Sequence, residues 1–366
     1  MVNISAIVCV METKLVGISE IAELAGVTRQ AVNNWRGRYE DFPNPVQTLQ
    51  SGPVWNREVI EQWVKQKAGR ATQVISFINL KGGVGKTTTA VAVAEVLAKV
   101  HRKSVLFIDL DPQTNATINL MKEEEWQKRD EAGQTLAQLF QDRVAATVGQ
   151  PPRFSLEHSI VRQVSTIDGG ISRLDLLPSS IKLINVQEKV SAASFADDYK
   201  DPRDILKAAL EPAIERYDYI IIDCPPSLGL VTKNGLRIST SYVIPTIPDI
   251  LSTWGIFQIV DNVHKFAGEL RRPIHALGIV ATKVQSNSLH ERVLGDLKAG
   301  RLFDGKKTDL KQPPLFEHRI KQHVKTATGA DSDANLRTFR YKYGETYESF
   351  EGLTREIIAR CNAPKV

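Results

Sequence analysis

The sequence has few cysteines and no long apolar run. Its three cysteines, Cys9, Cys224 and Cys361, stand far apart and lack metal-ligand spacing, which excludes a disulfide framework and fits a reducing cytosol. No apolar stretch approaches the roughly 18 residues that a membrane helix needs, so an integral membrane protein is excluded. The first residues, MVNISAIVCVM, have neither a basic region nor a small-residue cleavage site. No secretory signal is therefore expected.

Charge is the next informative property. The chain has 366 residues and a formal net charge of +5, and this length predicts about two domains, on a prior of roughly 150 residues each. Residues 264–325 contain 13 Lys and Arg against 6 Asp and Glu. That local excess is compatible with a polyanionic partner, or equally with a solvated basic face.

The N-terminal region contains two short helical periods. Residues 18–35, ISEIAELAGVTRQAVNNW, place apolar side chains at helical spacing on both sides of Gly26, and the Thr28 hydroxyl is suited to cap the second helix. This pattern predicts a helix-turn-helix, whose second helix lies in the DNA major groove. Arg, Asn and Gln are suited to read guanine and adenine there. The candidate DNA contacts are Thr28, Arg29, Gln30, Asn33 and Arg36.

A hairpin and a third helix are expected next. The segment QTLQSGPVW predicts a hairpin turned at Ser51 and Gly52, and Asn56 is placed to cap a closing helix that runs through Lys67. Together with the helix-turn-helix, residues 14–67 resemble the winged helix-turn-helix of the MerR and excisionase-like families. We assign residues 1–68 to this domain, with a small three-helix packing module as the alternative.

Beyond the short polar linker KAGRAT the pattern changes to alternating strands and helices. The expected strands are apolar on both faces, which indicates a parallel sheet covered on both sides. They are QVISFINL, SVLFIDLD, YDYIIIDCPP, SYVIPTIP and HALGIVATK. We predict a doubly wound α/β fold over residues 73–366, with residues 121–160 as a helical insertion that carries no chemistry.

A glycine-rich turn between the first of these strands and a helix indicates a phosphate-binding loop. In VISFINLKGGVGKTTT, glycine amides and the helix N-terminus would surround phosphate oxygens. Lys86 would bridge the β- and γ-phosphates, and the Thr87 hydroxyl would ligate Mg²⁺. ATP and Mg²⁺ are the expected ligands. The nucleotide-binding candidates are Lys81, Gly82, Gly83, Val84, Gly85, Lys86, Thr87 and Thr88.

The loop departs from the usual pattern because Leu80 stands where a glycine is normal. Its KGGVGKT sequence resembles the deviant Walker A loop of the ParA/MinD ATPases. The segments LFIDLDPQTNAT, LLPSSIKL and YDYIIIDCPPSLGLVTKNGL also resemble that family, and together these motifs cover most of residues 74–285. The resemblance implies a P-loop NTPase that hydrolyses ATP and forms a homodimer when ATP binds.

The resemblance also gives roles to four charged residues. It implies that Lys81 crosses the dimer to the phosphates in the other subunit, since two facing ATP molecules repel unless cations pass between them. It implies that Asp111 positions the attacking water and that Asp223 is the Walker B acid that reaches Mg²⁺. Asp109 is expected to assist Mg²⁺ and switch geometry. The catalytic candidates are thus Lys81, Lys86 and Asp111, and the metal candidates are Thr87, Asp109 and Asp223.

Partners follow from the same resemblance. ParA proteins hydrolyse ATP slowly until a ParB-like adaptor stimulates them, and their dimers bind DNA without sequence preference through basic residues of the C-terminal half. Such residues here include Arg271, Arg272 and Lys283. Residues 316–331 should hold part of the adenine pocket. A cytoplasmic, nucleoid-associated protein is expected.

The favoured interpretation is a DNA-segregation ATPase. A transcriptional repressor of its own operon, switched by nucleotide, is the alternative that the helix-turn-helix keeps open. A membrane-bound regulator of the MinD type is disfavoured, because the terminal TREIIARCNAPKV is short and mixed rather than amphipathic. A metal-cluster carrier would need paired cysteines, which the sequence lacks.

Overall fold

The computed structural model describes residues 14–25, 29–39, 41–68, 72–146, 149–192, 201–303, 310–322 and 338–363. The chain divides into two compact units, Met1–Ala71 and Thr72–Val366. No helix within the described ranges is both long and apolar enough to cross a membrane.

The first unit combines three helices with a small antiparallel sheet. Its elements are β1 (Leu15–Val16), α1 (Ile18–Ala25), α2 (Arg29–Arg38), β2 (Gln47–Leu49), β3 (Gly52–Asn56) and α3 (Arg57–Ala68). The strand order is β1-β3-β2. Leu49 pairs with Gly52, so the two connecting residues of the predicted hairpin are Gln50 and Ser51, one position earlier than expected.

Aromatic side chains form the core of this unit. The Trp35 and Trp55 side chains are buried, and the Trp55 indole donates a hydrogen bond to the Pro43 carbonyl at 2.8 Å. The Asn56 carboxamide accepts hydrogen bonds from the Glu58 and Val59 amides at 2.9 and 3.3 Å, which confirms its predicted capping role at the start of α3.

The second unit is built on a six-stranded parallel sheet. Its strands are β4 (Gln73–Phe77), β5 (Val105–Asp109), β6 (Leu174–Leu177), β7 (Tyr219–Asp223), β8 (Ser241–Thr246) and β9 (His275–Ala281). The strand order is β6-β5-β7-β4-β8-β9, and every pairing of neighbours is parallel. This confirms the predicted parallel α/β sheet. β6 was not expected from the sequence.

Helices cover both faces of this sheet. They are α4 (Lys86–Lys99), α5 (Asn115–Leu120), α6 (Glu123–Glu131), α7 (Leu136–Ala146), α8 (Leu156–Ser159), α9 (Leu183–Ala192), α10 (Ile205–Leu210), α11 (Leu230–Ile238), α12 (Ile250–Glu269), α13 (Ser288–Lys298), α14 (Phe339–Tyr343) and α15 (Tyr347–Asn362). One apolar core contains side chains of α4, α5 and α15. The other contains side chains of α7 and α9 to α13. Each strand is therefore buried on both sides.

The prediction for residues 121–160 is only half right. The segment is helical, as expected, but α7 is not an appended insertion, because Phe140 lies fully buried in the core. In α6, the Trp126 indole donates a hydrogen bond to the Ser179 carbonyl at 3.0 Å. This segment is therefore part of the domain core, and it contacts the loop that follows β6.

The sheet topology brings the carboxyl ends of β4, β5 and β7 to one edge of the sheet. β4 pairs with β7 so that Phe77 lies opposite Asp223, and β5 pairs with β7 so that Asp109 lies opposite Asp223. The chain runs from β4 to β5 and β6, returns to insert β7, and then adds β8 and β9 on the other side of β4. Ligands of open parallel sheets bind at such a reversal, outside the carboxyl ends of the strands.

Candidate nucleotide site

The glycine-rich loop lies between β4 and α4 and is held by side chains that flank it. Asn79 is buried, donates to the Pro245 carbonyl at 2.7 Å and accepts from the Lys81 amide at 2.9 Å. Thr282, just after β9, donates to the Val84 carbonyl at 2.6 Å. These contacts fix both ends of the loop at the N-terminus of α4, where the helix dipole favours an anion.

Gly85 shows why this loop needs glycine. Its φ of 76° lies in the left-handed region, while an added Cβ would make only an ordinary contact with the Thr282 side chain, at 3.6 Å. Gly83 also has a positive φ, of 73°. L-residues with side chains rarely adopt this conformation, so the glycines permit the turn from the strand into the helix.

Below the loop, an ammonium group lies between two carboxylates. Lys86 Nζ is 3.0 Å from Asp223 Oδ1 and 3.7 Å from Asp111 Oδ2, and all three side chains are buried. Burial lowers the pKa of Lys86, but the charges of Asp223 and Asp111 outweigh it and leave that pKa above its usual value. Lys86 therefore stays a cation in the buried site.

Asp223 also accepts a hydrogen bond from the Thr87 hydroxyl, with Thr87 Oγ1 2.6 Å from Asp223 Oδ2. Burial raises the pKa of the Asp223 carboxyl, while Lys86 and Thr87 oppose that rise. A hydroxyl and a carboxylate oxygen side by side at a helix N-terminus are ligands that suit Mg²⁺, which prefers oxygen donors. The residues present thus fit the expected metal.

Asp109 has a different environment from Asp223. Its Oδ1 accepts from the Asp111 amide at 3.0 Å, and its Oδ2 accepts from the Thr117 amide and hydroxyl at 2.8 and 2.7 Å. Burial, together with the charge of Asp223, raises its pKa to about 7. Asp109 is fully enclosed and ties the Asp111 loop to α5.

Ser179, in the loop after β6, is also connected to the Asp111 loop. Its hydroxyl donates to the Asp111 carbonyl at 2.8 Å, and its amide donates to the Thr117 hydroxyl at 3.0 Å. Ser179 belongs to LLPSSIKL, a segment that resembles the ParA/MinD family. The sequence alone does not predict which residues this segment contacts. The contacts of Ser179 show that the segment fixes the backbone on which Asp111 lies.

A cavity of about 640 Å³ opens above these groups. Its lining includes the glycine-rich loop, Asp111 and the residues that follow β9. The lining side chains with charged or amide groups are Lys81, Lys86, Asp111, Gln113, Asn115, Asn119, Lys283, Lys321 and Gln322. Of residues 316–331, where part of the adenine pocket was expected, residues 316–322 are described, and Ile320, Lys321 and Gln322 line the cavity.

Lys81 lies at the rim of this cavity. Its Nζ is 3.1 Å from Asp249 Oδ2 and 2.9 Å from the Ser252 hydroxyl, both at the start of α12. The Lys81 side chain is 43% exposed, whereas that of Lys86 is 7% exposed. The two lysines of the loop thus occupy different environments, one at the surface and one buried.

Comparison with known proteins places this geometry in a family. A family model described as an AAA domain, AAA_31, matches residues 72–276, which is more than half of the chain. The chain belongs to this family. It is similar to the chromosome-partitioning ATPase Soj of Thermus thermophilus, at 30% identity over 269 residues, which cover 72% of this chain and 92% of that protein. These similarities support a ParA-type P-loop ATPase.

Two further comparisons set the limits of this similarity. An uncharacterized protein of Mycobacterium tuberculosis is 30% identical over 221 residues, and the match spans 60% of this chain and 61% of that protein's length. The fold is similar to that of a putative plasmid partition protein of Borrelia burgdorferi, solved with bound AMPPNP. The TM-score is 0.56 at 21% identity, with 79% of this chain and 99% of that chain covered.

In this ParA-type chain, the predicted DNA contacts of α2 lie at the surface. Arg29, Gln30, Asn33 and Arg36 are exposed, whereas Thr28 lies outside the described residues. The Arg36 guanidinium lies 5.2 Å from the centre of the Trp55 ring, which orients it against the core. Two basic residues of this helix, Arg29 and Arg36, are therefore exposed together with two amide side chains.

The predicted C-terminal DNA contacts do not form one cluster. Arg272 donates to the Ser239 and Arg237 carbonyls, both at 2.8 Å, and so closes the end of α11. Arg271 is exposed and borders a second cavity with Arg272. Lys283 lines the nucleotide cavity instead. The structure thus separates Lys283 from the two arginines.

Proposed function

We propose that this chain is a DNA-segregation ATPase, which binds ATP and Mg²⁺, dimerises on ATP and binds DNA as a dimer. The observation that carries the proposal is the arrangement of two lysines on one phosphate-binding loop. Lys86 lies buried between Asp223 and Asp111, and Lys81 lies at the rim with an exposed amine. A site for nucleotide alone needs the buried lysine, whereas a site completed by a second subunit also needs a cation at the surface.

For ATP hydrolysis we assign each buried group a role. Mg²⁺ would neutralise phosphate charge, and Thr87 and Asp223 would hold it. Lys86 would leave Asp223 for the phosphates, because they carry more negative charge. Asp111 would orient water, since its amide and carbonyl are fixed by Asp109 and Ser179. Positioning of this kind supplies much of the catalysis in phosphoryl transfer.

For the homodimer we propose that the rim around Lys81 is covered by a second copy of this chain. The first turn of α12, which contacts Lys81, exposes Leu251 to 78% and Ile250 to 50%. Exposed apolar side chains next to a functional cation favour a protein partner at this surface. The partner is a second copy, because Lys81 is proposed to act on the nucleotide of another subunit.

For DNA we propose two kinds of contact. The N-terminal domain, residues 1–68, would act as a winged helix-turn-helix that reads an operator. Its contacts would be Thr28, Arg29, Gln30, Asn33 and Arg36. The dimer would bind DNA without sequence preference through basic residues that include Arg271, and a ParB-like adaptor would stimulate hydrolysis. The protein would be cytoplasmic and nucleoid-associated.

A nucleotide-switched repressor is the second candidate. The exposed polar face of α2 favours it, because Arg, Asn and Gln on one helix face are suited to base edges. Arg271 and Lys283 line different cavities, which favours a repressor over a dimer that binds DNA through one basic surface.

Footprinting with and without ATP separates the two functions. A segregation ATPase should cover unrelated DNA only with ATP, and this binding should fall steeply with salt. A nucleotide-switched repressor should instead protect one short sequence, and the strength of that footprint should change with ATP. Lys86→Ala is the matched variant, since it should abolish the ATP-dependent coverage of unrelated DNA, or leave a sequence-specific footprint that no longer responds to ATP. Coverage of unrelated DNA that is the same with and without ATP would contradict the segregation function.

A further inference from the structure

The amine of Lys81 is held within its own subunit. It donates to Asp249 Oδ2 at 3.1 Å and to the Ser252 hydroxyl at 2.9 Å, and its distance to Asp249 Oδ1 is 3.5 Å. We call the Asp249 and Ser252 side chains the Lys81 clamp. Neither residue belongs to the glycine-rich loop or to the motifs singled out from the sequence.

The clamp is rigid because its members also begin a helix. Asp249 is the N-cap of α12, and its Oδ1 accepts from the Ser252 amide at 2.6 Å. Its Oδ2 accepts from the Ser252 hydroxyl at 2.9 Å. The carboxylate therefore stabilises the helix and holds the Ser252 hydroxyl in reach of the lysine.

The backbone of Lys81 is fixed as well, through the hydrogen bond from its amide to the Asn79 carboxamide. Any movement of the amine must therefore come from the side chain alone. An amine that donates to Asp249 and Ser252 has at most one further proton to donate. The amine therefore cannot keep both contacts and also donate more than one hydrogen bond to a nucleotide bound in another subunit.

We propose that Asp249 and Ser252 are positioning residues that hold Lys81 in its own subunit until nucleotide in a second subunit takes the amine away. This inference rests on the proposed function, in which Lys81 acts across the dimer. The clamp therefore raises the dissociation constant of the nucleotide-bound dimer. A variant that removes the clamp favours the dimer, because the competing contact in the monomer is lost.

The test compares Asp249→Asn with Asp261→Asn. Asparagine keeps the helix cap at position 249 but removes the charge that attracts Lys81. Asp261 lies on the same helix and pairs with Lys265 at 2.7 Å, so its variant removes the same charge without touching the clamp. The dimer dissociation constant is measured by analytical ultracentrifugation with the ATP analogue AMPPNP.

The expected result is a dissociation constant about two- to fivefold lower for Asp249→Asn, which is the range of a partly exposed ion pair. Ser252→Ala should lower it as well, by less, and Asp261→Asn should leave it unchanged. A dimer weakened by Asp249→Asn would overturn the proposal, since the clamp would then present Lys81 to the partner. Equal constants for the two aspartate variants would also overturn it.

A second measurement tests whether Lys81 contacts Asp249 in the monomer without nucleotide. The ¹³Cε resonance of Lys81 is followed in protein labelled with ¹³C-lysine and assigned with Lys81→Arg. It should shift in Asp249→Asn and not in Asp261→Asn. An unshifted resonance would disprove the clamp itself. A shifted resonance in a protein that forms no dimer with AMPPNP would support the clamp and contradict the proposed function instead.

Discussion

Lys86 and Asp223 form a buried ion pair at 3.0 Å directly beneath the glycine-rich loop. The pair joins the start of α4 to the end of β7, so it holds these two elements together. A buried ion pair has a high desolvation cost. An anion that competes for the Lys86 amine, such as a phosphate, would therefore change the packing of both elements at once.

Lys81→Ala should abolish the ATP-dependent dimer. The alanine removes the side-chain cation that we propose to reach the second nucleotide, so the two triphosphates would repel each other. Light scattering with AMPPNP should show a monomer, and stimulated hydrolysis should fall on the order of 10³-fold, as after loss of other trans cations. Lys265→Ala, on the exposed face of α12, is the control. A full-sized dimer of Lys81→Ala would remove Lys81 from this role.

Asp111→Ala should trap the ATP dimer on DNA. The variant loses the group proposed to orient water, while Lys86, Thr87 and Asp223 still bind nucleotide. Hydrolysis should fall by about 10²-fold or more, and the dimer should persist in size-exclusion chromatography after ATP is added. Asp168→Ala, which removes an exposed acid paired with Lys99, should turn over normally. Normal turnover by Asp111→Ala would exclude it from catalysis.

The parts of the site predicted from sequence are those fixed by local backbone chemistry. Gly83 and Gly85 indicate the loop because a positive φ favours glycine, and Lys86 and Thr87 follow it at fixed spacing. The five longer strands of the parallel sheet were found because each consists mostly of apolar residues over at least five positions.

The parts that were missed depend on contacts distant in sequence. β6 has only four residues, and Asp175 interrupts its apolar run. That carboxylate is buried because Arg162 and Tyr217 bind it at 2.6 and 2.9 Å. The clamp residue Asp249 shows a helix-cap pattern, Asp-Ile-Leu-Ser, but its contact with Lys81 spans 168 positions. Sequence periodicity does not report such a contact.

Cys224 should resist alkylation at neutral and mildly alkaline pH. Burial raises the pKa of its thiol to about 12, and the residue is fully enclosed. A thiol reacts as the thiolate, and a raised pKa keeps it protonated until the pH approaches that value. Iodoacetamide labelling followed by mass spectrometry should therefore find Cys224 unmodified at pH 7 and pH 9 in the folded protein. In urea the same residue should label faster as pH rises. Rapid labelling of the native state would contradict the buried placement.

Lys342→Met should destabilise the second unit by about 3–5 kcal/mol. Lys342 and Glu95 form an ion pair at 2.8 Å in which both side chains are 0% exposed. Without the ammonium, Glu95 keeps hydrogen bonds from Ser165 and Tyr343 at 2.6 Å but remains a buried charge with no cation. Urea unfolding followed by circular dichroism gives the free energy of unfolding.

The double variant Glu95→Gln with Lys342→Met is the matched control for that pair. It removes both charges, so most of the lost stability should return. A single variant that costs under about 1 kcal/mol would mean that solvent reaches Glu95 and screens it. Neither Glu95 nor Lys342 belongs to the Lys81 clamp, so dimerisation with AMPPNP should be unchanged below the unfolding transition.

Arg29→Ala with Gln30→Ala should impair only sequence-specific DNA binding. Both side chains are exposed on α2, where each good base contact is worth about 1–3 kcal/mol, so operator affinity should fall about tenfold or more. ATP-dependent coverage of unrelated DNA should stay the same, because it is assigned to the second unit. Arg57→Ala, which breaks the pair with Glu61 on α3, serves as the control. Equal loss of both kinds of binding, measured by fluorescence anisotropy, would contradict the proposed division between the two units.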